Sequence, residues 1–165
     1  MPGLDVTVNW KCQEMDSGGV FFTDSNGLEM VRRHADDYNE RYNTTTSQRA
    51  SSNYYPVNSG IFIEDAGEQM IVMNDRSEGG SAYFDNGRIE LMINRRGNTS
   101  DDLGNEESLN ETAWFDGREL GVRVNAKYQL QFTSSRYDAF SSIRQRYLRT
   151  QNPLQYFQTS TVPMN

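Results

Sequence analysis

Two pairs of neighbouring carboxyl groups, Asp101-Asp102 and Glu106-Glu107, have residue types suited to acid–base chemistry. A retaining glycoside hydrolase needs two carboxyl groups roughly 5–5.5 Å apart, one as nucleophile and one as acid/base. Both pairs lie in a stretch dominated by Gly, Asn, Asp and Glu, which predicts an exposed loop over residues 97–111. Adjacent carboxylates on such a loop repel each other and stay solvated, whereas acid catalysis needs a pKa raised by burial. We therefore favour a solvated loop over a catalytic pair.

A second set of residues has the chemistry of sugar recognition. Sites for polar ligands combine an aromatic face with a few amide, carboxylate and guanidinium groups. Residues of these types occur together at Tyr54, Tyr55, Asp75, Arg76 and Trp114. A structural interpretation competes at every position, because a tyrosine can anchor a core with its hydroxyl in water, and Asp75-Arg76 can stabilise a turn. For any single residue the structural interpretation is the favoured one.

Metal and thiol chemistry have few donors in this chain. A catalytic zinc site usually takes three protein ligands, with histidine prominent, and the sequence has one histidine, His34, and one cysteine, Cys12. No EF-hand spacing for calcium is present. We predict no metal site in this chain, and no intrachain disulfide is possible. Asp24, between Thr23 and Ser25, is expected to accept hydrogen bonds in a turn rather than to attack a sugar.

The net charge and the hydrophobic pattern argue against nucleic-acid binding and against a membrane-spanning helix. The 165 residues carry a net charge of −7, which argues against nucleic acid because nucleic acid attracts basic surfaces. No apolar run approaches the roughly 20 residues that a membrane-spanning helix needs. Hydrophobic residues make up 35% and aromatic residues 12%, so we expect a folded chain that either forms a thin, strand-rich layer or depends on absent neighbours. We treat residues 1–165 as one domain, or as an incomplete piece of a larger one.

Three Asn-x-Ser/Thr sequences, at Asn43, Asn98 and Asn110, lie in polar stretches where a glycan could be attached. Chance is an equally good explanation, because a chain rich in Asn, Ser and Thr forms such sequences often. The N-terminal residues have neither the basic region nor the apolar region of a secretion signal. A fragment of a longer secretory precursor would account for both observations.

The hydrophobic pattern predicts short strands separated by turns. Period-two alternation over residues 4–10 and 88–94 is typical of half-buried strands. Runs at 61–64 and 69–73 flank the turn 65–68 and predict a hairpin. Further strands are expected at 20–22, 28–32, 120–124 and 128–132, the last two as neighbours, and at 154–157.

The remaining segments are predicted as two loops and one helix. Residues 34–52 are polar and irregular, which indicates a long surface loop. A 3.6-residue period between Tyr137 and Leu148 predicts a helix with Ser134 or Ser135 as N-cap, ended by Asn152-Pro153. Gly18-Gly19 and Gly79-Gly80 are expected in turns between strands. Many short strands with one helix predict a mainly β fold, an antiparallel sandwich or an open sheet.

Several motifs in one order give the chain a resemblance to a known family. It resembles the C-terminal β region of the class II α-mannosidases, glycoside hydrolase family thirty-eight, and more closely the lysosomal-type members. The family's "YTDSNG", "NYYPVN", "DRSQGGS" and "GxxELMxxRR…DD" patterns correspond here to residues 22–27, 53–58, 75–81, and 87–96 followed by Asp101-Asp102. The resemblance extends from about Ser17 to about Phe157.

The resemblance implies a fold and an activity. Members are zinc-dependent retaining glycosidases that remove terminal α-mannose from N-glycans, and their nucleophile, acid/base and zinc ligands lie in an N-terminal barrel whose motifs this chain lacks. The implied fold is a portion of a galactose-mutarotase-like supersandwich. A loop of this region approaches the sugar, which implies that Asp101-Asp102 lies near substrate. Relatives carry an arginine soon after this pair, and here Leu103-Gly104-Asn105 follows instead.

From this resemblance we expect a β-domain that is inactive alone. It would support the catalytic domain of an α-mannosidase, which supplies the zinc, and would rim the site for mannose-containing glycans. The expected location is the lumen of the secretory pathway, lysosome-like or extracellular. Two alternatives stay open: a free-standing carbohydrate-binding module, and a secreted structural domain for oligomer contact.

Overall fold

The computed structural model describes residues 3–24, 29–42, 49–100, 104, 106–134 and 139–150. These residues form eleven strands, two α-helices and one 3₁₀ helix. The strands are β1 (Leu4–Lys11), β2 (Val20–Asp24), β3 (Met30–His34), β4 (Tyr55–Val57), β5 (Gly60–Asp65), β6 (Glu68–Asn74), β7 (Glu78–Ser81), β8 (Arg88–Arg96), β9 (Thr112–Phe115), β10 (Arg118–Gly121) and β11 (Tyr128–Ser134). The helices are α1 (Asp37–Tyr42), α2 (Ala139–Thr150) and the 3₁₀ helix Ser51–Asn53.

The strands form two sheets and a separate ribbon. Sheet A has the order β1-β8-β7-β4, and sheet B has the order β11-β6-β5-β2-β3. The strands β9 and β10 form a two-stranded ribbon. Neighbouring strands pair antiparallel throughout the described residues. The structure therefore confirms the predicted antiparallel sandwich with one helix near the C-terminus.

The main hydrophobic core lies between the two sheets. Because successive side chains of a strand point to opposite faces, Ile61 and Ile63 of β5 and Met70 and Val72 of β6 share one face of sheet B. These residues form one buried cluster with Val57, Ile89 and Leu91 of sheet A and with Met15, Phe21 and Ala82. Burial of this apolar surface is the main stabilising contribution to the sandwich.

A second core lies on the other face of sheet B, under α2. Phe62, Ile71 and Met73 belong to the alternate positions of β5 and β6, and they form a buried cluster with Ala139 and Ile143 of the helix. The rings of Phe22 and Phe62 stack on this face with centroids 4.5 Å apart. The described residues thus form three layers: sheet A, sheet B and α2.

Gly80 explains how the sheets approach each other near β7. A Cβ atom on Gly80 would lie 2.6 Å from Val57 Cγ2 and 2.7 Å from Leu91 Cδ2. The residue is buried on the inner face of sheet A, opposite Leu91 in the register. A glycine at this position leaves room for the branched side chains of both neighbouring strands.

Two strand predictions and one turn prediction were wrong. The strand expected at 120–124 ends at Gly121, because β10 (Arg118–Gly121) pairs with β9 and residues 122–127 have no regular structure. Its expected neighbour β11 pairs with β6 instead. Gly79-Gly80 lies within β7 rather than in a turn, since pairing with β4 and β8 on both sides holds a segment of low strand propensity.

Other differences concern the segments predicted as loops and the ends of the helix. The segment 34–52 contains α1 and the start of the 3₁₀ helix. Ser134 is the last residue of β11 and is not the N-cap of α2. Three further predictions lie outside the described residues: Ser135 as the N-cap, residues 25–28 of the turn between β2 and β3, and the strand at 154–157. No helix among the described residues is long and apolar enough to cross a membrane.

Candidate functional site

A cleft of about 690 Å³ lies on the outer face of sheet A. Since Ile89 and Leu91 point into the core, the alternate residues Glu90 and Met92 of β8 point outward and form its floor together with Asp5 and Thr7 of β1. Tyr54 and the segment 49–51 form one wall. Phe84 and Arg95 also line the cavity. We call it the Tyr54 cleft.

The wall of the Tyr54 cleft is fixed by a buried asparagine. Asn53 is fully buried, its Nδ2 donates to the Arg49 carbonyl at 2.9 Å, and its Oδ1 accepts from the Asp36 backbone N–H at 2.7 Å. Ser81 Oγ of β7 donates to the Asn53 carbonyl at 2.7 Å, which ties the 3₁₀ helix to sheet A. The buried amide therefore determines where Tyr54, the next residue, leaves the wall.

Glu90 is the central polar residue of the Tyr54 cleft. Its side chain is outward-facing and yet the residue is only 6% exposed, because Tyr54 and Arg88 cover it. The Tyr54 hydroxyl donates to Glu90 Oε1, and Arg88 Nη2 donates to Glu90 Oε2 at 2.8 Å. Arg88 Nε also donates to Asn9 Oδ1 at 2.7 Å. Both carboxylate oxygens thus have a donor, as a buried acidic group requires.

The hydroxyl of Tyr54 stays protonated in this setting. Burial raises the pKa of Tyr54 well above its ordinary value, and the hydrogen bond to Glu90 raises it further. An ionised Tyr54 would place a second negative charge beside the Glu90 carboxylate in a partly buried position, which is unfavourable. Tyr54 is therefore a hydrogen-bond donor and a positioning group for Glu90, with no role as a base.

An aromatic surface adjoins the polar floor. The Phe84 ring packs edge-on against Tyr54 with centroids 6.2 Å apart, and the residue is 38% exposed. The Arg88 guanidinium carbon lies 5.6 Å from the Phe84 ring centroid. An exposed ring beside hydroxyl, carboxylate and guanidinium groups is a combination that suits a polar ligand with one apolar face, such as a sugar.

Two arginines at the rim take part in exposed ion pairs. Arg95 Nε lies 3.2 Å from Asp5 Oδ1, and Arg49 Nη2 lies 2.5 Å from Asp36 Oδ2. The Arg49 hydrogen bond lowers the pKa of Asp36. Side chains of Arg49 and Arg95 remain 66% and 63% exposed, so a ligand in the cleft could reach their remaining N–H groups.

The structure separates the two predicted tyrosines. Consecutive residues of an extended chain point to opposite sides, so Tyr55 does not reach the Tyr54 cleft. Its ring packs edge-on against Phe21 at 5.8 Å, and the Arg33 guanidinium lies 4.3 Å from its centroid. Burial raises the pKa of Tyr55. The ring is partly buried against the main core, as the structural interpretation expects.

Asp75 and Arg76 also lie away from the Tyr54 cleft. They form the turn between β6 and β7, where Arg76 Nε donates to Asp75 Oδ1 at 3.1 Å. Arg76 Nη2 donates to the Asn125 carbonyl, which attaches the turn to the segment before β11. The hydrogen bond from Arg76 lowers the pKa of Asp75. This geometry supports the structural interpretation of the pair.

The other predicted residues are spread over the surface or fall outside the description. Trp114 lies on β9 and is 77% exposed. Asn98 and Asn110 are exposed, and Asn110 Oδ1 accepts from Arg96 Nε at 2.7 Å. Asp101, Asp102 and Asn43 lie outside the described residues. Of the substrate-proximal candidates that the structure describes, only Tyr54 lines the Tyr54 cleft.

Sequence reasoning missed Glu90, Arg88 and Phe84. One available signal was the alternation of β8, in which Arg88 and Glu90 are polar residues on the face opposite to the buried Ile89 and Leu91. Phe84 had no such signal, because it lies in an irregular segment between β7 and β8. Only the packing of that segment against Tyr54 brings its ring to the cleft.

Asp24 is a buried carboxylate with a purely structural setting. It is 1% exposed and accepts backbone N–H groups of Asn58, Ser59 and Gly60 at 2.9–3.0 Å. The Ser59 hydroxyl donates to its Oδ2 at 2.5 Å. The structure confirms that Asp24 accepts turn hydrogen bonds, here across the sheet to the turn between β4 and β5.

The donors present do not fit a catalytic zinc site. No group of three or more His, Cys, Asp or Glu side chains within the part of the chain described here could hold a metal ion. His34 ends β3 opposite Val20, and Cys12 follows β1 with its backbone N–H bonded to the Gly87 carbonyl.

Comparison with known proteins identifies the family. The profile described as "Glycosyl hydrolases family 38 C-terminal domain" matches residues 11–102. The chain is 44% identical over 109 residues to a lysosomal alpha-mannosidase of Cavia porcellus, a match that covers 64% of this chain and 11% of that protein. It is 41% identical over 140 residues to the lysosomal alpha-mannosidase of Mus musculus, covering 85% of this chain and 13% of that protein.

A plant protein is also similar in sequence to this chain. A probable alpha-mannosidase of Arabidopsis thaliana is 37% identical over 114 residues, which cover 69% of this chain and 11% of the plant protein. The chain belongs to glycosyl hydrolase family 38 and corresponds to part of the C-terminal domain of its α-mannosidases. It spans about a tenth of the length of these relatives.

Proposed function

We propose that this chain is a non-catalytic β-domain portion of an α-mannosidase that hydrolyses terminal α-mannose of N-glycans. Catalysis and zinc binding are assigned to a separate barrel domain of the same enzyme. The observation that carries the proposal is the family match over residues 11–102, which includes β2 to β8 and therefore most of both sheets.

The Tyr54 cleft is proposed as the part of this domain that rims the sugar site. Its aromatic wall at Phe84 and its hydrogen-bonded floor at Glu90 match the two sides of a pyranose, one apolar and one polar. In this role the exposed rim arginines, Arg49 and Arg95, donate hydrogen bonds to hydroxyl groups of a mannose-containing glycan. The loop with Asp101-Asp102 remains a further candidate for approach to the sugar.

The proposed location is the lumen of the secretory pathway, in a lysosome-like compartment. Two of the relatives are named as lysosomal enzymes. The exposed sequon residues Asn98 and Asn110 agree with passage through a compartment where glycans are added. Glycan attachment at these positions, and at Asn43, remains a prediction.

A free-standing carbohydrate-binding module is the second candidate, and the Tyr54 cleft is the observation that favours it. The two candidates differ in what the isolated chain does. A module binds mannose alone, whereas a rim needs the catalytic domain to complete the site. Calorimetric titration of the isolated chain with mannose separates them: binding that disappears in Phe84→Ala favours the module, and absence of binding favours the rim.

The main test compares the isolated chain with the product of the complete reading frame that contains it. The complete enzyme is expected to hydrolyse an aryl α-mannoside in a zinc-dependent manner. The isolated chain is expected to show no turnover, with or without added zinc. Zinc-dependent turnover by the purified 165-residue chain would overturn the proposal.

The rim role has its own test in the complete enzyme. Phe84→Ala is expected to raise KM for a glycan substrate about 10-fold with a smaller change in kcat, since a lost stacking contact weakens binding. Phe115→Ala is the matched control, because Phe115 is an exposed phenylalanine, 48% accessible, on the β9–β10 ribbon. Equal KM values for both variants would remove the cleft from the sugar site.

A further inference from the structure

A second cavity, of about 430 Å³, lies on the side of the sandwich where β3 ends the order of sheet B and β4 ends the order of sheet A. Val31 and Arg33 of β3, Tyr55 of β4, and Asp37 and Arg41 of α1 line it. Its volume is within the roughly 300–1,000 Å³ of pockets that take small molecules. We call it the Arg33 cavity, and its described lining shares no residue with the Tyr54 cleft.

The register of β2 and β3 determines where Arg33 lies. Arg33 is opposite Phe21, which is fully buried in the main core, so its side chain leaves β3 on the core face of sheet B. Because β3 ends the order of the described sheet, the Arg33 stem can pack at the margin of the core while its polar end reaches the cavity. Arg32 also lines the cavity, but strand alternation turns its side chain to the other face of sheet B.

Two contacts hold the Arg33 guanidinium. Its Nε donates to Thr23 Oγ1 at 3.2 Å, and its Cζ lies 4.3 Å from the centroid of the Tyr55 ring. Thr23 is fully buried, so the hydrogen bond and the cation–π contact fix the guanidinium against packed parts of the sandwich. Only the Nε–H group is used, and the Nη groups of Arg33 have no acceptor among the described residues. A ligand in the cavity could therefore accept hydrogen bonds from them.

Tyr55 supplies a second, neutral donor. The residue is half buried, and its hydroxyl makes no hydrogen bond to another residue in the part of the chain that the structure describes. Burial raises the pKa of Tyr55, so the hydroxyl stays protonated. A protonated phenol without an acceptor can donate to a ligand that enters the Arg33 cavity.

The lining of the Arg33 cavity leaves one cation without a counter-ion. Arg41 Nη2 donates to Asp37 Oδ2 at 2.8 Å, so the single carboxylate among the described lining residues is already paired. Arg33 is half buried and makes no ion pair with the residues described. The chain as a whole has a net charge of −7, so this local excess of positive charge does not follow from composition. A half-buried guanidinium without a counter-ion favours an anionic ligand.

We propose that the Arg33 cavity binds a phosphate group, with the Arg33 Nη groups and the Tyr55 hydroxyl as its donors. A guanidinium can bind two phosphate oxygens side by side, and the hydroxyl can donate to a third. A carboxylate has no third oxygen, so it would leave the Tyr55 hydroxyl unused. The volume of the cavity leaves room for a small molecule that carries the phosphate, such as a phosphorylated sugar, and free phosphate is the other source. The site is independent of the proposed α-mannosidase role.

Calorimetric titration of the 165-residue chain at constant ionic strength tests the proposal. The probes are inorganic phosphate, glucose 6-phosphate and, as the uncharged control, glucose. Both phosphates are expected to bind, and glucose is not. Tighter binding of glucose 6-phosphate assigns the cavity to a phosphorylated small molecule, and an affinity no higher than that of inorganic phosphate assigns it to free phosphate. Absence of binding by both phosphates, or binding of glucose as tight as that of glucose 6-phosphate, would overturn the proposal.

Two substitutions remove the proposed donors one at a time. Arg33→Gln is expected to weaken phosphate binding at least about 10-fold, since it removes the charge-assisted pair of hydrogen bonds. Tyr55→Phe keeps the ring against Phe21 and Arg33 and removes only the hydroxyl, so a loss of about 3- to 10-fold is expected. Arg118→Gln is the matched control, because Arg118 is exposed on β10 and its loss changes the net charge equally. The control should bind phosphate as tightly as the wild type.

Urea denaturation provides a second readout on the same variants. Phosphate is expected to raise the urea midpoint of the wild type and of Arg118→Gln, because a ligand that binds only the folded chain stabilises it. The increase should be smaller for Tyr55→Phe and smallest for Arg33→Gln. Equal increases in all four proteins, or an unchanged phosphate affinity in Arg33→Gln, would mean that phosphate is an adventitious ion held elsewhere. Where Arg33→Gln does not fold, an unchanged affinity in Tyr55→Phe would overturn the site.

Discussion

The Tyr128 hydroxyl donates to Glu78 Oε1 at 2.8 Å, which joins the two sheets through a polar contact at the margin of the core. Glu78 belongs to β7 of sheet A and Tyr128 to β11 of sheet B. The second oxygen, Glu78 Oε2, is buried and has no hydrogen-bond partner among the residues that the structure describes. Burial raises the pKa of Glu78, and the hydrogen bond from Tyr128 opposes this effect in part.

Glu78→Gln is expected to change how stability depends on pH. A carboxyl whose pKa is raised in the folded state binds more protons there than in the unfolded chain. Wild-type stability therefore falls as pH rises from the ordinary carboxyl pKa through the raised pKa of Glu78. The variant should lose this fall and gain stability relative to wild type as pH increases. Urea denaturation across that pH range measures the difference between the two proteins.

Three other carboxyls among the described residues contribute with the opposite sign, so the comparison must be made as a difference. The lowered pKa values of Asp36, Asp75 and Asp85 give stability that is lost as pH falls through those lowered values. Tyr128→Phe supplies the control, because it removes the donor to Glu78 and should raise that carboxyl's pKa further. A difference curve without slope in either comparison would contradict the assignment to Glu78.

Asp24→Asn is expected to lower the free energy of unfolding by about 2–4 kcal/mol. The asparagine side chain keeps one acceptor oxygen and turns an N–H group toward backbone donors that Asp24 now satisfies. Urea denaturation at neutral pH measures the loss. Glu14→Gln is the matched acid-to-amide control at an exposed position, and it should change stability little. Similar stability of both variants would mean that Asp24 does not hold the β4–β5 turn.

Gly87→Ala is expected to be strongly destabilising, and Gly117→Ala provides a matched comparison. Both glycines have a φ angle of +70°. Alanine at either position must adopt this left-handed conformation, which lowers the free energy of unfolding by about 1 kcal/mol. A Cβ atom at Gly87 would also lie 2.1 Å from the Cys12 carbonyl oxygen, whereas one at Gly117 meets nothing within 4 Å. Thermal unfolding should show a much larger decrease in Tm for Gly87→Ala, and equal decreases would contradict the close approach.

Tyr54→Phe is expected to cost about 1–3 kcal/mol of stability. The substitution keeps the ring against Phe84 and removes the donor to Glu90, which leaves a buried carboxylate oxygen without that partner. Urea denaturation compares it with Tyr83→Phe, which alters the neighbouring ring of the same segment as Phe84. If the two variants were equally stable, the Tyr54–Glu90 hydrogen bond would not contribute to the stability of the fold.

Residue patterns predicted the parts of the fold that are regular and locally encoded. The β5–β6 hairpin and the strand β8 follow alternating or apolar runs next to clear turn residues, and the structure has them there. The strand β7 escaped prediction because Glu78, Gly79 and Gly80 have no such pattern, and pairing on both sides determines its conformation. The pairing of β11 with β6 is equally invisible locally, since it joins segments more than fifty residues apart.

The residues of the candidate site could likewise be predicted only in part. Tyr54 could be nominated from its residue type, because an aromatic hydroxyl suits a sugar. Alternation puts Glu90 on the outer face of β8, but only the packing of Tyr54 and the segment 49–51 against that face shows that Glu90 lies in a cleft. Arg76 was nominated for its type and instead binds a carbonyl of the segment before β11. Residue chemistry proposes candidates, and only tertiary packing selects among them.

The pairing of β1 with β8 has a consequence for synthesis on the ribosome. β1 lies at residues 4–11 and its partner at residues 88–96, so roughly 80 residues must be translated before the pair can form. At elongation rates of about 5–20 residues per second, the nascent strand waits for roughly 4–16 s with Val8 and Trp10 uncovered. Sheet B can complete its β2–β5–β6 centre during that interval, which makes closure of sheet A a late event.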